Sequence, residues 1–248
     1  MELLIFFAKL ALIIFLIFLY YKWIKKFIFR CAPTVAQFLG LTKKHPIASA
    51  AGVVQLTMIA FSHVVFCVFL FYFLKIHMII FGLSIEGVVL LPLAVLVGVG
   101  AMGFSTMLCQ GGMMIAEKTF PDNVPDNAKG WLTIARGGWM RHHLHNIEIL
   151  PLFLAFLIVV IQIASEEIVF RGIILNYFLN DGVILAVFIS TILFAYMQIF
   201  HMSSKASAMF PVLGALVLGF VNSILYIHIP VLLPLIVAHL AFFIFAMF

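Results

Sequence analysis

Long apolar runs, each about as long as a bilayer crossing, alternate along this chain with short polar connections. A helix needs about 20 apolar residues to span the hydrocarbon core. On that ruler the pattern predicts about seven spans, at residues 3–21, 51–74, 87–109, 149–178, 183–200, 209–227 and 230–248. The fourth is long enough to be two half-helices. The predicted fold class is all-α, a polytopic transmembrane helix bundle. Polar residues collect in 22–46 and 110–147. In the second of these, Pro121-Asp-Asn-Val-Pro-Asp-Asn127 marks a turn-rich break. Trp131, Arg136 and Trp139 follow it and suit a segment lying in the membrane interface.

Composition reinforces this picture: 66% of residues are hydrophobic and 9% charged, far from soluble globular usage. Little of the chain is left for a separate soluble domain. The segment 3–21 lacks a small-residue cleavage site, and its basic residues follow it rather than precede it, so a retained anchor is expected. Residues 22–46 hold Lys22, Lys25, Lys26, Arg30, Lys43 and Lys44 with no acid, which predicts a cytoplasmic location. Lys118, Lys129, Arg136 and Arg141 fall on the same side two spans later. The N-terminus and the Asn180-Asp181-Gly182 turn are then both expected on the outer side. The net charge of +5 fits membrane-flanking cations facing anionic lipid headgroups, and no nucleic-acid partner is expected. Cys31, Cys67 and Cys109 are scattered and without ligand spacing, so neither a disulfide framework nor a zinc ribbon is predicted.

One charged cluster interrupts the apolar second half. It lies in Ile163-Ala-Ser-Glu-Glu-Ile-Val-Phe-Arg-Gly172, with no charge in 149–164 and only Lys205 charged from 182 to 248. An acid or base at the centre of a membrane helix costs about 2.5–3.5 kcal/mol on insertion scales, so such groups are rare and usually functional. Glu167 and Arg171 are i and i+4, share one helix face and can pair, offsetting each other's burial. Glu166 is turned about 100° from Glu167 and stands outside that pairing, as a general base would. Glu166 is therefore the expected acting group, with Glu167 and Arg171 as support. The competing reading is an ion-pair lattice that only fixes helix packing. Partners must come from other apolar segments: Gln198 and His201 at the end of the fifth span, Asn222 in the sixth, and His239 in the seventh.

Glu166-Glu167-Ile-Val-Phe-Arg171 resembles the Glu-Glu-x-x-x-Arg signature of the CAAX-protease and bacteriocin-processing family of intramembrane glutamic endopeptidases. Phe194-Ala-Tyr-Met-Gln198 and His239-Leu-Ala-Phe-Phe243 are similar to its Phe-x-x-x-His and His-x-x-x-Asn signatures. The resemblance covers about 149–248 and implies a catalytic helix core there, with 1–148 supplying N-terminal helices and cytoplasmic amphipathic or loop segments of one membrane domain. It implies a metal-independent peptidase without cofactor, in a prokaryotic cytoplasmic membrane, acting on a membrane-associated peptide or protein. In that mechanism Glu166 takes a proton from water, and the third motif stabilises the oxyanion. Two positions depart from the family. Gln198 replaces a histidine and cannot accept the water's proton, and Phe243 replaces an asparagine and has no donor. His201, one turn beyond Gln198, is the expected substitute, with His239, Asn222 or Gln198 serving the oxyanion.

Other signals carry less. His142, His143 and His145 with Glu148 have helical spacing for a metal site, but a histidine-rich interfacial helix entry explains them as well, and no metal is assigned. His63 reads as a packing residue and His77 as interfacial. Gly98-Val-Gly-Ala-Met-Gly103 reads as close helix packing. Two other functions fit the same residues: a catalytically impaired membrane scaffold that binds a partner protein, and a proton-coupled transporter.

Overall fold

The structure, a computed structural model, describes residues 1–76, 85–119, 146–202 and 205–247. Among the described residues the architecture is helical throughout. The main helices are α1 (Glu2–Phe38), α2 (Ile47–Phe73), α3 (Leu91–Thr119), α4 (Leu152–Asp181), α5 (Val183–Gln198), α6 (Lys205–His228) and α7 (Leu232–Met247). Five of them, all but α5 and α7, are long and apolar enough to cross a membrane, and those two are shorter apolar helices. The turn-rich break at 121–127, the aromatic segment 131–139, His77 and the His142, His143 and His145 group lie outside the described residues.

The first span differs from expectation. The helix does not stop at residue 21 but runs on through the basic residues to Phe38, winding as a π-helix over Leu19–Ile24. Lys25, Ile28, Ala32 and Ala36 form its buried stripe. Spacings of three and four residues define one helix face, so the segment is an amphipathic extension of α1. Gly40, at φ 69°, ends it in the left-handed conformation that glycine adopts without penalty. Pro33 lies inside the helix and has no N–H to offer the carbonyl of Phe29. Gln55 of α2 donates its side-chain amide there, in a long contact of 3.5 Å.

The chain packs as two compact units, Met1–Ile79 with Arg141–Ala186, and Ile80–Met140 with Val187–Phe248. Each takes residues from both sides of position 148. In the first unit, Ala32, Ala36, Ala50 and Val54 form a small-residue core that brings α1 and α2 close together. Lys9 pairs with Asp181, which puts the start of α1 and the 180–182 turn at one end of this unit.

In the second unit α3, α6 and α7 pack around Ala101, Leu218 and Phe242. A Cβ on Gly98 would stand 2.1 Å from the backbone oxygen of Ala238, so the glycine allows α3 to touch the α7 backbone. Close packing was expected of the whole Gly98–Gly103 motif. Only Gly98 provides it, because a Cβ at Gly100 or Gly103 meets nothing within 4 Å.

Candidate active site

The acidic motif sits at a change of helical winding. Pro151 precedes α4 with an extended ψ of 137°, and regular α-helix runs from Leu152 to Glu167. The winding then widens to a π-helix over Ile168–Leu175 before the chain returns to α at Asn176. The fourth span, long enough to be two half-helices, is thus one continuous helix with a π segment inside it. π segments are rare and frequently found at functional sites. The Asn176 side-chain amide donates to the Gly172 carbonyl at 2.8 Å, giving a polar contact within the segment.

Glu167 and Arg171 are paired as the i, i+4 spacing demands. Arg171 Nη1 donates to Glu167 Oε1 at 3.3 Å, and both side chains are fully buried. Two opposite charges buried together offset the desolvation that would exclude either alone. Glu166 is buried too, at 6% exposure. Both Glu167 and Glu166 act electrostatically on Arg171.

The surroundings of this segment come from α1 and α2, which carry none of the residues singled out as catalytic from sequence. The Cys67 thiol of α2 donates to the Ser165 carbonyl at 3.4 Å, fixing α2 against the turn that carries Glu166. The π-helical stretch of α1 turns Tyr20 and Tyr21 inward, each 1% exposed. The Tyr21 hydroxyl and His63 Nε2 share a 2.6 Å hydrogen bond, so His63 is a bonded polar group and not simple packing. The Tyr20 hydroxyl meets Ser62 Oγ at 3.0 Å, and its ring stacks on Phe66 with centroids 4.3 Å apart. Lys25, read from sequence as one of the flanking cytoplasmic cations, is 1% exposed, with Nζ 4.4 Å from the centroid of the Tyr21 ring. Glu166 acts on it electrostatically.

The signal for Lys25 was in the sequence. Of Lys22, Lys25, Lys26 and Arg30, Lys25 alone falls in register with Ile28, Ala32 and Ala36.

The second and third motifs belong to the second unit, where Phe194, Gln198, His239 and Phe243 line one cavity with about 370 Å³ of empty space, part of it open. His239 is 8% exposed, and its ring meets Phe194 edge to face at 5.6 Å. The two residues that depart from the family pattern, Gln198 and Phe243, therefore lie on the same cavity as the histidine that matches it. Asn222, expected as a possible oxyanion donor, gives its side-chain amide to the Leu235 carbonyl at 3.3 Å and ties α6 to α7. Past Gln198 the backbone tightens to a 3₁₀ turn, Ile199–His201. This is the change of winding under which residues i and i+3 eclipse. The side chain of His201 lies outside the described residues. Among the described residues, no three His, Cys, Asp or Glu side chains gather in a metal-binding group.

Comparison with known proteins agrees with the motifs. Residues 148–245 match the family model described as type II CAAX prenyl endopeptidase Rce1-like. No curated protein and no solved structure matches the chain. The matched segment holds all three motifs and runs from just before α4 to near the end of α7. The match to a peptidase family model and the succession of apolar helices together support an integral, multi-pass membrane protein. Over residues 148–245, the chain is similar to the family of type II CAAX prenyl endopeptidases described as Rce1-like.

Proposed function

We propose that this protein is an intramembrane glutamic-type endopeptidase that cleaves a membrane-associated peptide or protein near the bilayer surface. The observation that carries the reading is the pair of adjacent buried carboxylates in α4, one of them ion-paired. Glu167 and Arg171 neutralise each other at 3.3 Å, while the adjacent Glu166 carboxylate is buried on a different side of the helix. Glu166 accepts a proton from a water molecule, and the resulting hydroxide attacks the scissile carbonyl. His239 donates to the oxyanion, while Gln198 orients the water through its side-chain amide. His201 is the candidate to take over the proton-handling role of the family's missing histidine. Collapse of the tetrahedral intermediate breaks the C–N bond, and the proton held by Glu166 passes to the leaving amine. The catalytic set of this proposal is thus Glu166, Glu167, Arg171, Gln198, His201 and His239.

The test uses the full chain in proteoliposomes with an internally quenched, farnesylated peptide ending in a Cys-aliphatic-aliphatic-X sequence, a probe chosen from the family description. Glu166→Gln abolishes cleavage if the reading is right. Cleavage by that variant at the wild-type rate would sink it.

A second reading has a specific observation in its favour. Gln198 and Phe243 line the His239 cavity in place of the family's histidine and asparagine, as in a scaffold of this fold that binds a partner after losing its chemistry. In that case Glu166→Gln preserves biological function, while bulky substitutions into the cavity abolish it.

A further inference from the structure

A lysine buried in a membrane bundle is costly unless an acid stands against it. Lys25 is such a residue at 1% exposure, and it does not reach out of the bundle as long basic side chains near membrane surfaces usually do. It lies on the buried stripe of α1, one turn past Tyr21. The face of the Tyr21 ring receives its ammonium at 4.4 Å, a cation–π contact. Tyr21 is itself fixed from two sides: its hydroxyl bonds His63 Nε2 at 2.6 Å, and its ring stands 6.0 Å from that of Phe170. Phe170 follows Glu166 by four residues, so the two lie near one face of α4. The Cys67 bond to the Ser165 carbonyl holds α2 against the same turn. Every one of these contacts lies within the first compact unit.

We propose that Lys25 is a positioning residue for Glu166: a cation delivered by the π-helical turn of α1, from outside the family-matched segment, that holds the carboxylate in its working orientation. Arg171 pairs with Glu167 and also acts on Glu166, so Lys25 brings a second cation to the two acids, from α1. Electrostatic interaction between Lys25 and Glu166 supports the assignment. The role rests on the proposed function, but the pairing itself does not depend on it.

The experiment is a double-mutant cycle on the purified full chain in detergent micelles, with Tm as one readout and cleavage of the farnesylated peptide as the other. Lys25→Met lowers Tm, and adding Glu166→Gln to it recovers part of that loss, because the acid left without its cation is then removed. Fully additive Tm changes would overturn the pairing. If Lys25→Met does not fold, recovery of folding in the double variant supports the pairing, and failure of both variants to fold refutes it. In the cleavage assay Lys25→Met lowers kcat by about tenfold or more at unchanged KM, and Lys25→Arg keeps most of the activity. Loss of KM alone, or equal loss in the Arg variant, overturns the positioning role. Non-additive Tm values together with an active Glu166→Gln variant would leave the pairing standing and remove the protease reading instead.

Discussion

Arg171 Nη1 meets Glu167 Oε1 at 3.3 Å, and neither side chain has any exposed surface. The pair lies across the junction where α4 changes from α to π winding. Removing one member leaves an uncompensated charge in a low-dielectric interior, which costs about 3–5 kcal/mol. Arg171→Met and Glu167→Leu are therefore each expected to lower the detergent-solubilised Tm sharply. The double substitution restores most of the loss, since well-packed apolar residues can replace a buried ion pair. Thermal denaturation of the three variants checks this, and a double variant as unstable as the sum of the singles would show that the two charges do not act as a pair.

Glu166 is expected to behave differently from its neighbour. Under the proposed mechanism Glu166→Gln preserves shape, removes the base and lowers kcat by about 100-fold or more. Chelators leave the wild-type rate unchanged, because the carboxylate activates water directly. A rate that collapses in EDTA and returns with added zinc would contradict that mechanism.

Much of this was legible in the residues. Period and span length give the apolar helices, and the i, i+4 spacing gives the Glu167–Arg171 pair. The end of α1 was not legible, because a run of lysines after an apolar span reads as the membrane edge, whereas the winding continues beneath them to Phe38. The π segments at Leu19–Ile24 and Ile168–Leu175 were not legible either. A wider turn leaves no mark on runs as apolar as Leu-Tyr-Tyr-Lys-Trp-Ile and Ile-Val-Phe-Arg-Gly-Ile-Ile-Leu, where one charged residue each is too few to show a changed period. The part of Tyr21 and His63 in the site depends on that winding and on a contact between residues 42 positions apart, which no local pattern encodes. The role of Asn222 was not legible, because an amide in an apolar helix suits either chemistry or helix pairing; its amide bonds the Leu235 carbonyl.

Gly98 gives a sharp packing test. An added methyl would stand 2.1 Å from the Ala238 oxygen and 2.9 Å from the Ala241 Cβ, so the neighbour that must yield is backbone. Overpacking of this kind costs about 1–3 kcal/mol, and it falls one residue from His239. Gly98→Ala is expected to lower both Tm and kcat. Gly103→Ala, with nothing within 4 Å of the new Cβ, gains up to about 1 kcal/mol of helix propensity. Equal Tm values for the two variants would refute the contact.

The cavity that holds Gln198, His239 and Phe243 allows the departures from the family pattern to be reversed. Gln198→His restores a side chain that can accept a proton from water, and Phe243→Asn restores an oxyanion donor on the same helix face as His239. One oxyanion donor is worth about 100–1000-fold in kcat where the rest of the site is in place. If the chain is a working but handicapped peptidase, Phe243→Asn raises cleavage of the farnesylated peptide, and the combination with Gln198→His raises it further. Both gains require Glu166, so adding Glu166→Gln returns the rate to background. If the protein is a scaffold, neither reversal yields cleavage, and filling the cavity with Gly214→Leu, whose side chain would run into the Phe242 ring 2.7 Å from its first carbon, abolishes partner binding. Steady-state rates of the four variants, compared with partner capture by the cavity-filled one, separate the two outcomes.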